Sequence, residues 1–337
     1  MNTLVTGSNG FLGKVLVNKL KKRGRFVVGI DKKIGQSIIQ NNYEGPDVFI
    51  SADIRNSNLI KEIITEYDIN EVYHLASWAI QKYCAEEPEI ALDININGLV
   101  NILGSCRESK NNIESIVIST SDKAFGNAPV PYTEESPLMP LFIYDTTKAC
   151  QQMISMAYSR NYNLPIKVIA SSNFYGPGDF NITRIIPNSI IRLSMGLPAM
   201  IWKDSEKHVR EFIYIDDVAE GFIAVSEKGK KGELYCCGGK EHLTIKDLVT
   251  KICTIMGKEP KKNIKIVERP VYLKELQKQY LNSSKLQSLG WQQKILLDEG
   301  LKRSIDFYTR LVEEHKIHPM RAKEDGSITY KLKKYFS

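Results

Sequence analysis

The sequence predicts an α/β protein, with a doubly wound parallel sheet followed by a smaller α+β region. Three observations predict it. Over the first half, short apolar runs alternate with helical stretches, the pattern of parallel strands joined by crossover helices. A glycine-rich turn, Thr6-Gly7-Ser8-Asn9-Gly10-Phe11-Leu12-Gly13, stands between the first strand and the first helix. After Asn173 the texture changes, because Pro177, Gly178, Pro187, Gly196 and Pro198 cut the chain into shorter pieces.

In order, strands are expected over Thr3–Thr6, Phe26–Asp31, Val48–Ala52, Val72–Ala76, Ser115–Ser119 and Ile166–Ala170. Helices are expected over Leu12–Arg23, Ile60–Tyr67, about Pro88–Ser109 and about Tyr144–Tyr162. The strands are apolar throughout rather than alternating, as in a sheet covered on both faces. A loop rich in proline and glycine spans 126–140. The organisation is then a sheet domain over 1–175, a second region over 176–315 and a polar, basic tail over 316–337 with no assigned role. Phe212–Ile215 and Gly232–Cys237 read as strands, so that 212–240 returns to the sheet.

The composition fits a globular chain able to bury a core. It has 337 residues, 42% hydrophobic and 25% charged. The net charge of +7 is dispersed, and no basic stripe interleaved with aromatics suggests nucleic acid as a partner. A mild positive balance does suit an anionic ligand such as a pyrophosphate. The six cysteines (Cys84, Cys106, Cys150, Cys236, Cys237 and Cys253) form no C-x-x-C pair and no metal framework. Scattered free thiols suit a reducing cytoplasm, the expected location. A strand at the N-terminus leaves no room for a signal peptide, and no apolar run approaches the ~20 residues of a membrane span.

The glycines of the first turn are spaced G-x-x-G-x-x-G. Gly7, Gly10 and Gly13 would allow a tight turn, a close approach of backbone to a dinucleotide pyrophosphate, and close packing of helix on sheet. Free N–H groups at the helix start would face the phosphates. Asp31, at the end of the second strand, could accept from both ribose hydroxyls of NAD and repel the extra phosphate of NADP, although Lys32 and Lys33 soften that repulsion. Asp53 ends the third strand, where its carboxylate could accept from the adenine amino group or cap the next helix.

These residues carry a resemblance. The chain resembles the extended short-chain dehydrogenase/reductases, in the branch of NAD-dependent sugar-nucleotide epimerases and dehydratases, which have a Rossmann-type sheet. The resemblance covers about residues 1–310. Beside the glycine motif it rests on Asp53-Ile54-Arg55, His74-Leu75-Ala76-Ser77, Asn95-x-x-Gly98-x-x-Asn101, Tyr144-x-x-x-Lys148 and the run Arg210-Glu211-Phe212-Ile213-Tyr214-Ile215-Asp216-Asp217-Val218-Ala219. It implies NAD as cofactor, held by Gly7, Asn9, Gly10, Phe11, Leu12, Gly13, Asp31, Asp53, Ile54, Leu75, Ala76, Ser77, Tyr144 and Lys148.

Tyr144 and Lys148 are four positions apart and share a helix face. A lysine cation beside the phenol would stabilise the phenolate, which could then take a hydroxyl proton while the same carbon is oxidised. Ser121-Asp122-Lys123, after the fifth strand, resembles the T/S-D-K of CDP-glucose 4,6-dehydratases. Simple 4-epimerases need only a Ser or Thr there. Elimination of water across carbons 5 and 6 needs an acid and a base as well, and Asp122 as acid and Lys123 as base would supply them. The chain departs from that pattern at Ala124-Phe125, in place of Cys-Tyr, at Cys236, in place of Asn, and at Asp145-Thr146-Thr147, in place of a serine-rich stretch.

For the substrate, the resemblance implies Asn173 (in Asn173-Phe174-Tyr175-Gly176-Pro177-Gly178), Arg184, Arg210 and Arg269 around the sugar-nucleotide pyrophosphate, with Ser121 on the reacting hydroxyl. It also implies a homodimer through the two long helices, which carry Ile94, Leu99, Ile102 and Leu103, and Ala149, Met153, Ile154 and Ala157. Three functions stay open at this point: a nucleotide-sugar 4,6-dehydratase, a 4-epimerase of the same fold, and a non-catalytic NAD(H)-binding regulator.

Overall fold

The computed structural model describes residues 1–32, 43–269, 275–314, 317–322 and 328–332; Lys33, named above, lies outside them. In chain order the strands are β1 (Asn2–Thr6), β2 (Phe26–Asp31), β3 (Val48–Ser51), β4 (Glu71–His74), β5 (Ser115–Ser121), β6 (Ile166–Ser171), β7 (Asn173–Tyr175), β8 (Ala199–Trp202), β9 (Val209–Tyr214) and β10 (Glu233–Cys237). Seven of them form one parallel sheet in the order β10-β6-β5-β4-β1-β2-β3. The order reverses between β1 and β4, so a crevice opens beyond the carboxyl ends of those strands, where a doubly wound sheet takes its ligand.

The strands are apolar on both faces because both are covered. Along β1, Leu4 enters one core cluster and Val5 the other, as successive side chains must. The helices α1 (Phe11–Lys22), α2 (Ser57–Glu66), α3 (Gln81–Glu86), α4 (Pro88–Leu92), α5 (Gly98–Glu108) and α6 (Ile143–Tyr162) follow one another through the first half. In α1, Leu12, Leu16, Val17 and Leu20 are buried at helical spacing, while Lys19, Lys21 and Lys22 crowd the last turn, where the helix dipole favours cations. Asn56 caps α2 by accepting from the Leu59 N–H, so Asp53 is not the cap.

The helix expected over Pro88–Ser109 is not uniform. A π turn, Asp93–Asn97, interrupts it between α4 and α5, and α3 precedes it unforeseen. Turns of this kind recur at functional sites. Of the two strands expected to return to the sheet, only β10 does, pairing with β6. The strand expected over Phe212–Ile215 forms as β9 but lies in a separate small sheet, with β7, His242–Thr244 and Lys278–Gln279. The reason lies just past β6. Ser172 donates its N–H to the Cys237 carbonyl, the chain turns out of the sheet, and β7 draws β9 with it in the register Asn173↔Phe212. In the tail, Ile317–Ala322 and Ile328–Leu332 pair as an antiparallel hairpin, and Ile317 enters the core. Among the described residues no helix is long and apolar enough to cross a membrane.

At the amino ends of the strands, opposite the crevice, Glu71 is a buried hub. Its carboxylate accepts from Thr3, Tyr73 and Ser226 hydroxyls at 2.8, 3.0 and 2.5 Å. Lys167 joins the cluster through Ser115 and the Ser226 carbonyl. Removing the shared acceptor strands several buried donors at once. We expect Glu71→Leu to lower the unfolding free energy by about 3 kcal/mol, measured by urea denaturation.

Candidate active site

The carboxyl ends of β1 and β4 meet with no room for a side chain. Gly7 has φ +70, and a Cβ there would stand 2.9 Å from the Ala76 nitrogen. A Cβ on Gly13 would come within 2.1 Å of the Gly7 carbonyl oxygen. The start of α1 has no side-chain cap among the described residues, so its first N–H groups face the crevice as an anion site does. Asp31 stands at the end of β2 and accepts from the Asn9 N–H at 3.1 Å. This glycine cradle, with a carboxylate at the end of the next strand, fits a dinucleotide.

The Asn95-x-x-Gly98-x-x-Asn101 face holds the neighbouring loops. Asn95 accepts from the Ser77 hydroxyl and the Trp78 N–H, at 3.0 and 2.7 Å. Gly98 leaves space for Ile54, whose Cδ1 would lie 2.3 Å from a Cβ. Asn101 donates to the carbonyls of Ile54 and Arg55. Leu75 and Ala76 donate their N–H groups to Thr6 Oγ1. The Asp53 carboxylate carries two ion pairs. Arg55 grips both its oxygens and Lys32 lies 2.8 Å away. Despite some burial, those cations hold its carboxyl well below the usual range.

Ser121, Asp122 and Lys123 stand where β5 ends and a 3-10 turn, Asp122–Phe125, begins. Ser121 donates to Asp122 Oδ1 at 2.9 Å, and its hydroxyl favours the nearby Tyr144 phenolate. Asp122 is buried, and its Oδ2 has no hydrogen-bond partner among the described residues. Burial pushes its carboxyl up, against the pull of Lys123, Ser121 and Arg210. Lys123 is half-buried, with Nζ 3.4 Å from Gln279 Oε1. Tyr144 and Lys148 do share a face of α6, with Nζ 5.8 Å from the ring centre. Burial drives the Tyr144 phenol up and the Lys148 ammonium down to about 7.

The arginines converge on this site. Arg184 ion-pairs with Asp179 at 3.2 Å, lies over the Phe174 ring, and its charge favours the Tyr144 phenolate. Arg210 is buried and gives its fork to the carbonyls of Val209 and Leu276 and, at 3.4 Å, to Glu275. Arg269 pairs with the same Glu275 and with Asp204. Asn173 reaches the Glu211 carbonyl at 3.5 Å. Phe125, one of the departures noted above, is buried against Tyr132 in a small core cluster with Cys236, so it supports the turn from behind.

Sequence reasoning missed Asp145 as a site residue. It is buried beside Tyr144, and burial raises its carboxyl to about 6, with Asp122 adding to the effect and Lys123 opposing it. Its Oδ1 has no hydrogen-bond partner among the described residues. The only signal was an acid where a serine-rich stretch was expected.

The fold and this site define a class: a Rossmann-type chain of the extended short-chain dehydrogenase/reductases, with the tyrosine–lysine pair facing a dinucleotide crevice. The chain belongs to the GDP-mannose 4,6 dehydratase family, whose description matches residues 4–304. It is 31% identical, over 92% of its length, to a trifunctional UDP-glucose 4,6-dehydratase/UDP-4-keto-6-deoxy-D-glucose 3,5-epimerase/UDP-4-keto-L-rhamnose-reductase of Arabidopsis thaliana. The match covers 47% of that protein, so the chain spans about half the length of such curated relatives. Among solved structures it resembles a UDP-glucose 4-epimerase of Thermotoga maritima with UDP-glucose (TM-score 0.83, 27% identity, 93% of this chain and 100% of that one). It also resembles a dTDP-glucose 4,6-dehydratase of Bacillus anthracis in complex with NAD (TM-score 0.82, 26% identity, 93% and 98%).

The raised Asp145 carboxyl fixes a sign for stability. Its folded pKa of about 6 exceeds the unfolded value of 3.8, so the folded state holds this proton more tightly and loses stability as pH rises through about 6. Asp145→Asn removes that loss. The variant should be more stable than the parent by about 2 kcal/mol near pH 8, with little gain near pH 4, as read by chemical denaturation at both values.

Proposed function

We propose that this protein is an NAD-dependent nucleotide-sugar 4,6-dehydratase, converting an NDP-hexose into an NDP-4-keto-6-deoxyhexose. The observation that carries the reading is the buried Asp122 with Lys123 beside it, next to Ser121 and Tyr144. A 4-epimerase would give that acid and base no task.

Bound NAD would accept a hydride from carbon 4 and later return it to carbon 6. Gly7, Gly10 and Gly13 would let its pyrophosphate approach the start of α1, and Asp31 would take the ribose hydroxyls. Ser121 orients the hydroxyl on carbon 4, and Tyr144 as phenolate removes its proton. The Lys148 cation stabilises that phenolate. The resulting ketone acidifies the proton on carbon 5, which Lys123 takes and gives back to carbon 5 when hydride would add at carbon 6. Asp122, whose carboxyl burial pushes up, gives its proton to the hydroxyl leaving carbon 6 as water. Arg184, Arg210 and Arg269, with Asn173, line the approach for the pyrophosphate, where the arginine fork suits phosphate oxygens. The Ser121-Asp122-Lys123 segment favours a pyrimidine-linked glucose, with CDP-glucose the first candidate.

A homodimer is part of the same reading. Ile94, Leu99, Ile102 and Leu103 are buried within the chain, but Met153 on α6 is 62% exposed and Ala157 is exposed as well. This face of α6 is free to pair with a second copy.

The test is mass spectrometry of products from CDP-, dTDP-, UDP- and GDP-hexoses, without added cofactor. We expect loss of one water from one of them with no net NADH. An unchanged mass with a shifted sugar equilibrium would mean an epimerase. Lys123→Met should lower dehydration by at least about 100-fold while oxidation at carbon 4 persists; dehydration near the parent rate would remove Lys123 from the base role.

A further inference from the structure

Lys148 does not stand alone on α6. Its Nζ donates to Gln151 Oε1 at 2.9 Å and to the Ser119 carbonyl at 3.2 Å. Gln151 is fully buried, and its amide is used at both ends, because Nε2 donates to the Asn95 carbonyl at 2.7 Å. Asn95 lies in the π turn between α4 and α5. A π turn shifts helix carbonyls off their regular partners, and here one is aimed sideways at α6. The side chain of Asn95 is clamped in turn: it accepts from Ser77 and Trp78, and its Nδ2 donates to Thr147 Oγ1 at 3.0 Å. Thr147 donates to the Tyr144 carbonyl at 2.7 Å. The path from the loop after β4 to the base of the redox pair is thus continuous and hydrogen-bonded.

We infer that Gln151 is a positioning residue for the tyrosine–lysine pair, its amide coupling the Asn95 carbonyl of the π turn to the Lys148 ammonium. The inference rests on the reading of Tyr144 and Lys148 given under the proposed function. An amide suits the task because it accepts from the cation on one side and donates to the carbonyl on the other. A hydrocarbon of similar size could do neither. A carboxylate could accept but not donate, and would set an anion against the Asn95 carbonyl. The titratable groups facing Lys148 are Tyr144 on its own helix, His74 from β4 and Cys84 from α3, with Asp145 facing Cys84 in turn. His74 and Cys84 are themselves buried, so the amide is the contact through which a neutral side chain tunes the ammonium directly.

The experiment uses the full-length holoenzyme and two variants, Gln151→Met and Gln151→Glu. Two readouts are taken from each. The first is the tyrosinate absorbance of each protein against pH, minus that of its Tyr144→Phe counterpart, which follows the Tyr144 proton without any substrate. The second is kcat and KM against pH with the sugar nucleotide that the parent consumes. Either variant should move the Tyr144 titration to higher pH by about one unit, and lower kcat about tenfold near neutrality. KM should stay within about threefold, since the substrate is not touched. A folded variant, with NAD content and circular dichroism of the parent but an unmoved Tyr144 titration, would overturn the inference and leave Gln151 a packing residue. The two variants perturb the bridge in opposite chemical senses, so one that fails to fold leaves the other to decide. If the parent consumes no sugar nucleotide, the proposed function fails, while the absorbance titration still decides the role of Gln151.

Discussion

The architecture turns on one steric constraint, the contact of backbone with backbone where β1 and β4 end. Gly7 must turn with positive φ against the Ala76 nitrogen, and Gly13 must pass over the Gly7 carbonyl. With no side chain between them, α1 starts directly above the ends of two strands. Its first N–H groups then point into the crevice that the reversal of strand order creates. Everything assigned to cofactor binding hangs from that contact. So does the placing of β4, whose following loop carries Ser77 and Trp78 to Asn95.

Asn95, Gly98 and Asn101 show how the scaffold transmits this order. Spaced three residues apart, they lie along one side of a helix. One fixes the loop after β4, one makes room for Ile54, and one holds the carbonyls after β3. The same turn of helix then reaches α6 through Gln151 and Thr147. The groove for the dinucleotide and the base of the redox pair therefore share one rigid support. Motif residues in the second region act likewise: Asp217 accepts from the N–H groups of Lys294 and Ile295, and Glu211 from that of Leu281.

Burial sets the electrostatic character of the site. Burial disfavours charge on Tyr144, Lys148, Asp122 and Asp145 alike. The nearby cations, Arg184, Lys123 and Arg210, oppose that cost for the acidic groups. Burial thus moves the carboxyls up and the lysine down, toward one another, which narrows the gap that a proton transfer must cross.

The sequence by itself determined the parallel sheet, because uniformly apolar strands separated by helices have few other ways to hide both faces. It also determined the glycine turn and the tyrosine–lysine face, since those depend on spacing within one strand–turn–helix unit or one helix. It did not determine the destination of β9, which depends on how β7 leaves the sheet after Ser172. Nor did it reveal the π turn, whose sequence Asp93-Ile94-Asn95-Ile96-Asn97 reads as ordinary helix. Nor did it show that Asp53 pairs with Arg55 and Lys32. Gln151 carried no local signal, and Asp145 only that of an acid where a serine-rich stretch was expected. Their significance comes from burial beside groups distant in sequence, and desolvation by neighbours from other elements exists only once the chain has folded.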